Sequence, residues 1–475
     1  MLMSDPDSAS EPEGLPARRL GPSQRASYGA GDIGFVLVWQ GAALFLLYFY
    51  TDILHLPPWT AGAIYLTGMI WDAVSDPLIA TWAERRAARS GRYTPIIAWS
   101  ALPVGLSYAL MFAVPAGGTG LTALFALVSH LVFRTAFTCA GMPYNALPAK
   151  LTHDSDARTS LAALRVVGAA TGGLAVAIGT PLLVQSAAAS GEAGAYHLAA
   201  VATGGVAAAA LLLSSLGIRE PRTIQTAPST NGYLSDLGAL WPGLRRNGPL
   251  QRLLAMMLLA TVGFGLFTQN MLYFLTHVLA RPDLTVPVLA SPALAMILTA
   301  PLWMILAARS SKRLAMLAGL GTATIGYLLI GLTPAANASL TLASVGLVGV
   351  GSAALPVMFW SMVPDAIDYG QLRTGVRVEA RTFGLTTFVQ KSAAGVAALI
   401  IGGLLGWAGY SPDAGQTPAV QAVIITMISW LPASCMAIIA GLVWGYPINR
   451  AQHREIIAQL AGQDGVAGRT TRSGG

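Results

Sequence analysis

Asp72 and Asp76 stand four residues apart in Trp71-Asp72-Ala73-Val74-Ser75-Asp76-Pro77, within a run of otherwise apolar residues. On a helix that spacing puts both side chains on one face, within reach of the same ion. Two carboxylates so close in a low dielectric cannot both stay ionised without a cation or a proton between them. The chemistry they suit is reversible cation binding, as at the coupling site of a membrane transporter. The competing use is structural, with the pair bonding Arg134 or backbone groups.

The elements that must carry the pair are membrane helices. The chain is 54% hydrophobic and 10% charged, with a mean hydropathy of +0.59, whereas soluble domains carry about 25% charged residues. Twelve apolar stretches of spanning length recur between residues 29 and 446, among them 59–82, 120–146 and 338–364. The expected organisation is a polar cytoplasmic tail over 1–27, a six-helix bundle over 28–217, a central cytoplasmic loop over 218–250, a second six-helix bundle over 251–446 and a cytoplasmic tail over 447–475. Arg85, Arg86, Arg89, Arg92, Lys150, Arg158, Arg309, Lys312, Arg313, Arg373 and Arg377 all fall on one side, and only Arg281 on the other. Positive loops stay in the cytoplasm, so both termini are expected there, in a multi-pass cell-membrane protein of the bacterial inner-membrane kind. The net charge of +7 then reflects topology and contact with anionic lipid of the bilayer.

The dispersed basic residues argue against nucleic acid as a partner. No nucleophile elbow, phosphate loop or metal-spaced His/Cys cluster appears, so an enzyme is not expected, nor a cofactor. Cys139 and Cys435 lie in apolar stretches and read as small hydrophobes. No obligate protein partner is implied.

The two halves echo each other. Met142-Pro143-Tyr144-Asn145-Ala146-Leu147-Pro148 is matched by Met358-Phe359-Trp360-Ser361-Met362-Val363-Pro364, and Ala157-Arg158-Thr159 by Ala380-Arg381-Thr382. Repeats at equivalent positions suit a transporter that holds its solute between two bundles.

Several stretches resemble the glycoside–pentoside–hexuronide:cation symporters, a branch of the major facilitator superfamily that includes the melibiose permease. They are Tyr28-Gly29-Ala30-Gly31-Asp32, Tyr48-Phe49-Tyr50-Thr51-Asp52, Ile70-Trp71-Asp72-Ala73 to Asp76-Pro77, Gly91-Arg92-Tyr93-Thr94-Pro95, and Asp365-Ala366-Ile367-Asp368-Tyr369-Gly370 with Arg377 and Lys391. The resemblance covers residues 28–446 and implies an all-α fold of twelve transmembrane helices in two pseudo-symmetric six-helix bundles. It also implies a cation-coupled symporter of a sugar, glycoside or sugar acid working by alternating access. Asp72 and Asp76 become the cation ligands, with Thr138 adding a hydroxyl and Ser75 standing where a relative has asparagine. The coupling ion is sodium, held at Asp72 and Asp76, or a proton.

The sugar positions depart from the family pattern: Val36 and Gly141 replace acidic residues, and Asn145 replaces a tryptophan. Arg165, Thr387 and Lys391 still match, with Trp39 and Gln40 at the corresponding depth and Arg134 as a further intramembrane cation. Arg134, Arg165 and Lys391 against the aspartate pair leave excess positive charge once a cation binds, which favours a solute bearing a carboxylate, such as a uronide. The competing reading has Arg134 and Lys391 balancing the pair in the empty state. Asp32 is read as a capping or pairing residue of helix 1. Arg92, Asp154, Arg158, Asp365, Asp368 and Arg377 border the cytoplasm and read as gate salt bridges, and Arg85 to Arg92 as a basic loop. A lysolipid or amphiphile carrier of the same fold, and a non-transporting membrane receptor, are the alternative functions.

Overall fold

The computed structural model describes residues 21–152, 154–222, 244–245, 247–333, 337–375, 379–412 and 415–460. Most of both tails, most of the central loop and Arg377 lie outside the described residues. Among the described residues twelve long helices follow one another: α1 Pro22–Ile53, α2 Pro58–Ser90, α3 Thr94–Met111, α4 Thr119–Leu151, α5 Ser155–Ser186, α6 Gly191–Gly217, α7 Gly248–Leu279, α8 Thr285–Arg309, α9 Lys312–Leu332, α10 Ala338–Thr374, α11 Glu379–Trp407 and α12 Pro418–Trp444. A short amphipathic helix, α13, covers 450–460.

Local sequence fixes many of the ends. Proline opens α1 and α2, where its missing N–H costs nothing. The side chains of Asn247, Ser311 and Asn337 accept hydrogen bonds from the first-turn amides of α7, α9 and α10. Gly375, at φ 72°, closes α10 in the left-handed region.

Eleven helices among the described residues are long and apolar enough to cross a membrane. The twelfth, α2, has the length at 33 residues but carries Asp72, Ser75 and Asp76 in its middle. Three helices also run past the apolar stretches of the sequence. α2 continues through Arg85, Arg86 and Arg89 to Ser90, α4 to Leu151, and α10 through Asp365 and Asp368 to Thr374. The expected basic loop is therefore helix up to Ser90, and the expected loop after the tenth span is helix as far as Thr374. The reason is geometric: 33 residues of helix measure roughly 50 Å against a hydrocarbon layer of about 30 Å. Hydropathy marks where the hydrocarbon ends, not where the helix does.

Within the first half α1 packs on α5 and α6, and α3 on α4 and α6; within the second, α7 packs on α11 and α12, and α10 on α8 and α9. The halves meet chiefly along α2 and α11, and next along α5 and α8. Where α2 and α11 cross, a Cβ on Gly402 would stand 2.2 Å from the Pro58 carbonyl oxygen, so only glycine permits this approach. That contact lies toward the far face, opposite the tail face where α1 begins and α12 ends.

Candidate functional site

Asp72 is fully buried on α2, and the Lys391 Nζ of α11 lies 2.9 Å from its Oδ2 and 2.5 Å from Asp76 Oδ2. The Asp76 contact is an aligned hydrogen bond; the Asp72 contact is an ion pair without that alignment. Thr138 of α4 reaches both carboxylates, at 2.8 Å from Asp72 Oδ1 and 3.0 Å from Asp76 Oδ1. The helical spacing of four thus aims both acids at one point, and Pro77 follows with no N–H to give the Ala73 carbonyl. The hydroxyl of Ser75, expected beside the cation ligands, donates to the Asp72 carbonyl at 3.3 Å, the back-bonding that short hydroxyls favour in helices.

This cluster borders a central cavity of about 650 Å³ between the halves. Of the residues proposed for the solute, Trp39, Gln40, Asn145, Arg165, Thr387 and Lys391 line it. Arg165 is already engaged, donating from Nε to Asp32 at 3.1 Å and from Nη2 to Asn145 at 2.9 Å. Asp32 is buried and also accepts from Tyr144 at 2.6 Å, which fits its reading as a pairing residue. The Thr387 hydroxyl donates back to Phe383.

Arg134 does not line the cavity. Its guanidinium is buried behind Trp39, 4.7 Å from the ring centre, with Nε donating to His130 at 3.0 Å. Arg134 and Thr138 share a helix face, but the indole of Trp39 screens the arginine from the central space. Lys391 alone of the two expected counter-charges balances the aspartate pair.

The expected gate residues other than Arg377, which lies outside the described residues, sit on the tail face. Asp365 pairs with Lys312 at 2.8 Å, and His453 of α13 lies 3.3 Å from Asp368 and 3.6 Å from Asp365. These pairs stay within the second half. Arg158 donates from Nε to the Thr152 carbonyl, the Asp154 amide donates to Thr152 Oγ1, and the Arg92 carbonyl accepts from Ser90. Glu220, at the start of the central loop and unmarked in the sequence, takes the Tyr93 and Thr94 amides at the start of α3 and pairs with Lys150 of the first half at 3.5 Å.

A second polar cluster, on the far face, was missed by sequence reasoning altogether. Asp52 at the end of α1 lies 3.0 Å from His277 Nε2 at the end of α7, and accepts from the Tyr410 hydroxyl at 2.5 Å. Thr51 shares a hydrogen bond with Tyr273 at 2.6 Å. Both helix ends widen into π-helix, over Phe49–Ile53 and Phe274–Leu279. The signal was in the sequence: Tyr48-Phe49-Tyr50-Thr51-Asp52 repeats as Tyr273-Phe274-Leu275-Thr276-His277, 225 residues on.

Two helical halves around a buried acid pair and a central cavity make a multi-pass protein of the major facilitator fold. The structure matches a bacterial homolog of the human lysosomal transporter Spinster, inward-facing and unoccupied, at a TM-score of 0.64 and 15% identity over 93% of this chain and 99% of that one. The chain belongs to the glycoside–pentoside–hexuronide:cation symporter family, whose model, described as MFS/sugar transport protein, matches residues 27–450. A glucuronide carrier protein homolog of Escherichia coli (strain K12) is 25% identical over 91% of this chain and 94% of its own. The sodium-dependent lysophosphatidylcholine symporter 1 of Gallus gallus is also 25% identical, over 95% of this chain and 91% of its own.

Proposed function

We propose that the protein is a cation-coupled symporter that carries a sugar, glycoside or sugar acid across the cell membrane by alternating access of its two halves, 28–217 and 251–446. The observation that carries this reading is Lys391 held between Asp72 and Asp76 with Thr138 alongside. Lysine there acts as a tethered stand-in for the coupling cation. A sodium ion or proton entering from the open side neutralises part of the pair, weakens its hold on Lys391 and frees the ammonium, which lines the cavity, to meet the solute. Coupling follows because the solute's ligand is released only when the ion is bound. Arg165, Asn145, Gln40 and Thr387 supply hydrogen bonds to hydroxyls, and Trp39 a stacking face. A carboxylate-bearing sugar is favoured by the freed lysine and by the likeness to a glucuronide carrier homolog.

The test is uptake in proteoliposomes under an imposed sodium or proton gradient. Asp72→Asn and Asp76→Asn should each abolish uphill accumulation while solute exchange continues, and should remove the effect of the ion on solute affinity. Accumulation at the unmodified level in both variants, with ion dependence intact, would overturn the assignment. A second reading, an amphiphile carrier, draws support from the methionines Met69, Met256, Met257, Met296 and Met316 in the cavity wall, whose adaptable side chains suit apolar ligands. Uptake of a lysolipid but of no sugar would select it.

A further inference from the structure

On the tail face, between the start of α9, the end of α12 and the first turns of α13, lies a second cavity of about 720 Å³ that shares no lining residue with the central one. Lys312, Arg313, Arg450 and Arg454 line it, against one acid, Asp365, among the described residues. Lys312 already occupies that acid at 2.8 Å. The guanidiniums touch only neutral groups. Arg313 lies over the Trp444 ring at 4.8 Å, Arg450 donates to the Ala307 and Ala308 carbonyls that end α8, and Arg454 donates to the Arg450 carbonyl. Among the described residues no acid pairs with any of the three. Three like charges around one space repel one another, and an anion placed there relieves them.

Tyr446, just beyond α12, lines the same cavity and is 7% exposed, yet among the described residues its hydroxyl has no hydrogen-bond partner. Burial, and after it the nearby Asp365 carboxylate, push its pKa up against the pull of Arg252. The hydroxyl therefore keeps its proton and is an unused buried donor, which native structures rarely tolerate. Around the cavity, Trp444 at the end of α12, Leu314 at the start of α9 and Ile457 on α13 are exposed apolar side chains. An exposed tryptophan at the end of a spanning helix and an amphipathic helix beside it suit the headgroup layer of a bilayer. We propose that this cavity seats the phosphate of an anionic phospholipid, with Arg313, Arg454 and the Tyr446 hydroxyl donating to its oxygens and the acyl chains running past Trp444 and Leu314. Guanidinium forks match phosphate oxygens, and basic pockets among helices at this depth take acidic headgroups. The lipid so held joins α9 to α13 and keeps α13 against the second half.

The experiment titrates the full chain, by native mass spectrometry, with phosphatidylglycerol and phosphatidylcholine of identical acyl chains, so that only the headgroup differs. Phosphatidylglycerol should bind at least about tenfold more tightly. Arg313→Gln combined with Arg454→Gln, both exposed side chains, should cut that preference below about threefold, while Arg313→Lys with Arg454→Lys keeps most of it because the charge remains. Tyr446→Phe should weaken phosphatidylglycerol about tenfold, the loss of one hydrogen bond to a charged acceptor, without lowering the melting temperature of the lipid-free protein. That conservative variant and the lysine pair decide the matter if the glutamine pair does not fold. Equal affinity for the two lipids, or a preference that survives in the glutamine pair, overturns the proposal. A melting temperature raised by inorganic phosphate, lost in the glutamine pair and accompanied by no headgroup preference, overturns the lipid in favour of a soluble phosphate.

Discussion

On the far face, the Asp52 carboxylate of the first half takes its partners, His277 and Tyr410, from the second. On the tail face, Asp365 pairs with Lys312 of its own half, Asp368 with His453 of the helix that follows it, and Glu220 of the central loop with Lys150 of the half it leaves. The far-face charges bridge the halves and so favour closure there, whereas these tail-face pairs tie elements on one side of the seam only. The cavity accordingly reaches toward the tail face through Asn145, Trp360 and Thr387, two of which, Asn145 and Trp360, are exposed.

The sharpest way to break this contrast is Asp52→Ala. Removing one member of a buried charged cluster costs about 3–5 kcal/mol, enough to move the balance of open and closed far faces more than a hundredfold. A cysteine at Leu56, buried on that face, should then react with a membrane-impermeant thiol reagent once Cys139 and Cys435 are replaced, and uptake should fall at least tenfold. A Leu56→Cys site that stays unreactive would show that other contacts close this side.

A slightly smaller effect distinguishes the pair from its surroundings. His277→Asp sets two carboxylates together and should be nearly as damaging as Asp52→Ala. Combining it with Asp52→His exchanges the partners across the repeat and should return uptake to within about threefold of the unmodified protein, since only the direction of the ion pair is reversed. No rescue would mean that Tyr410 and Thr51 require the acid on α1.

Asp365→Asn tests the tail face. Its partner Lys312 is 38% exposed, so the pair contributes about 1 kcal/mol or less. Uptake should change no more than about fivefold, and Leu56→Cys labelling not at all. Arg281 and Asp283 form an exposed pair within one half. Arg281→Ala should alter neither uptake nor melting temperature measurably. A large effect there would contradict the rule that only charges joining the halves set the conformation.

The acid pair was legible because its information is local: two carboxylates at helical spacing in an apolar run. Thr138 came through family resemblance and Lys391 as an intramembrane charge, but the union of Lys391 with Asp76 spans 315 residues and no local pattern encodes it. Arg134 was misplaced because its helix face is that of Thr138, while the indole that screens it comes from α1. The far-face cluster escaped because polar residues at the ends of apolar stretches read as facing water. Only the pairing of one repeat with the other buries them. Helix ends at Ser90 and Thr374 were invisible to hydropathy, which responds to lipid and not to the hydrogen-bond ladder.

The polar middle of α2 bears on how the protein is made. Lys391 is synthesised 315 residues after Asp76, an interval of roughly 15–60 s at 5–20 residues per second. During that time the nascent chain must place two carboxylates near the bilayer with their lysine still unmade. A segment of this polarity partitions poorly into lipid alone, so α2 enters late, beside α4 with Thr138, with its acids protonated or facing water until α11 arrives. Chains truncated before α11 therefore carry α2 as a segment whose buried acids lack their lysine.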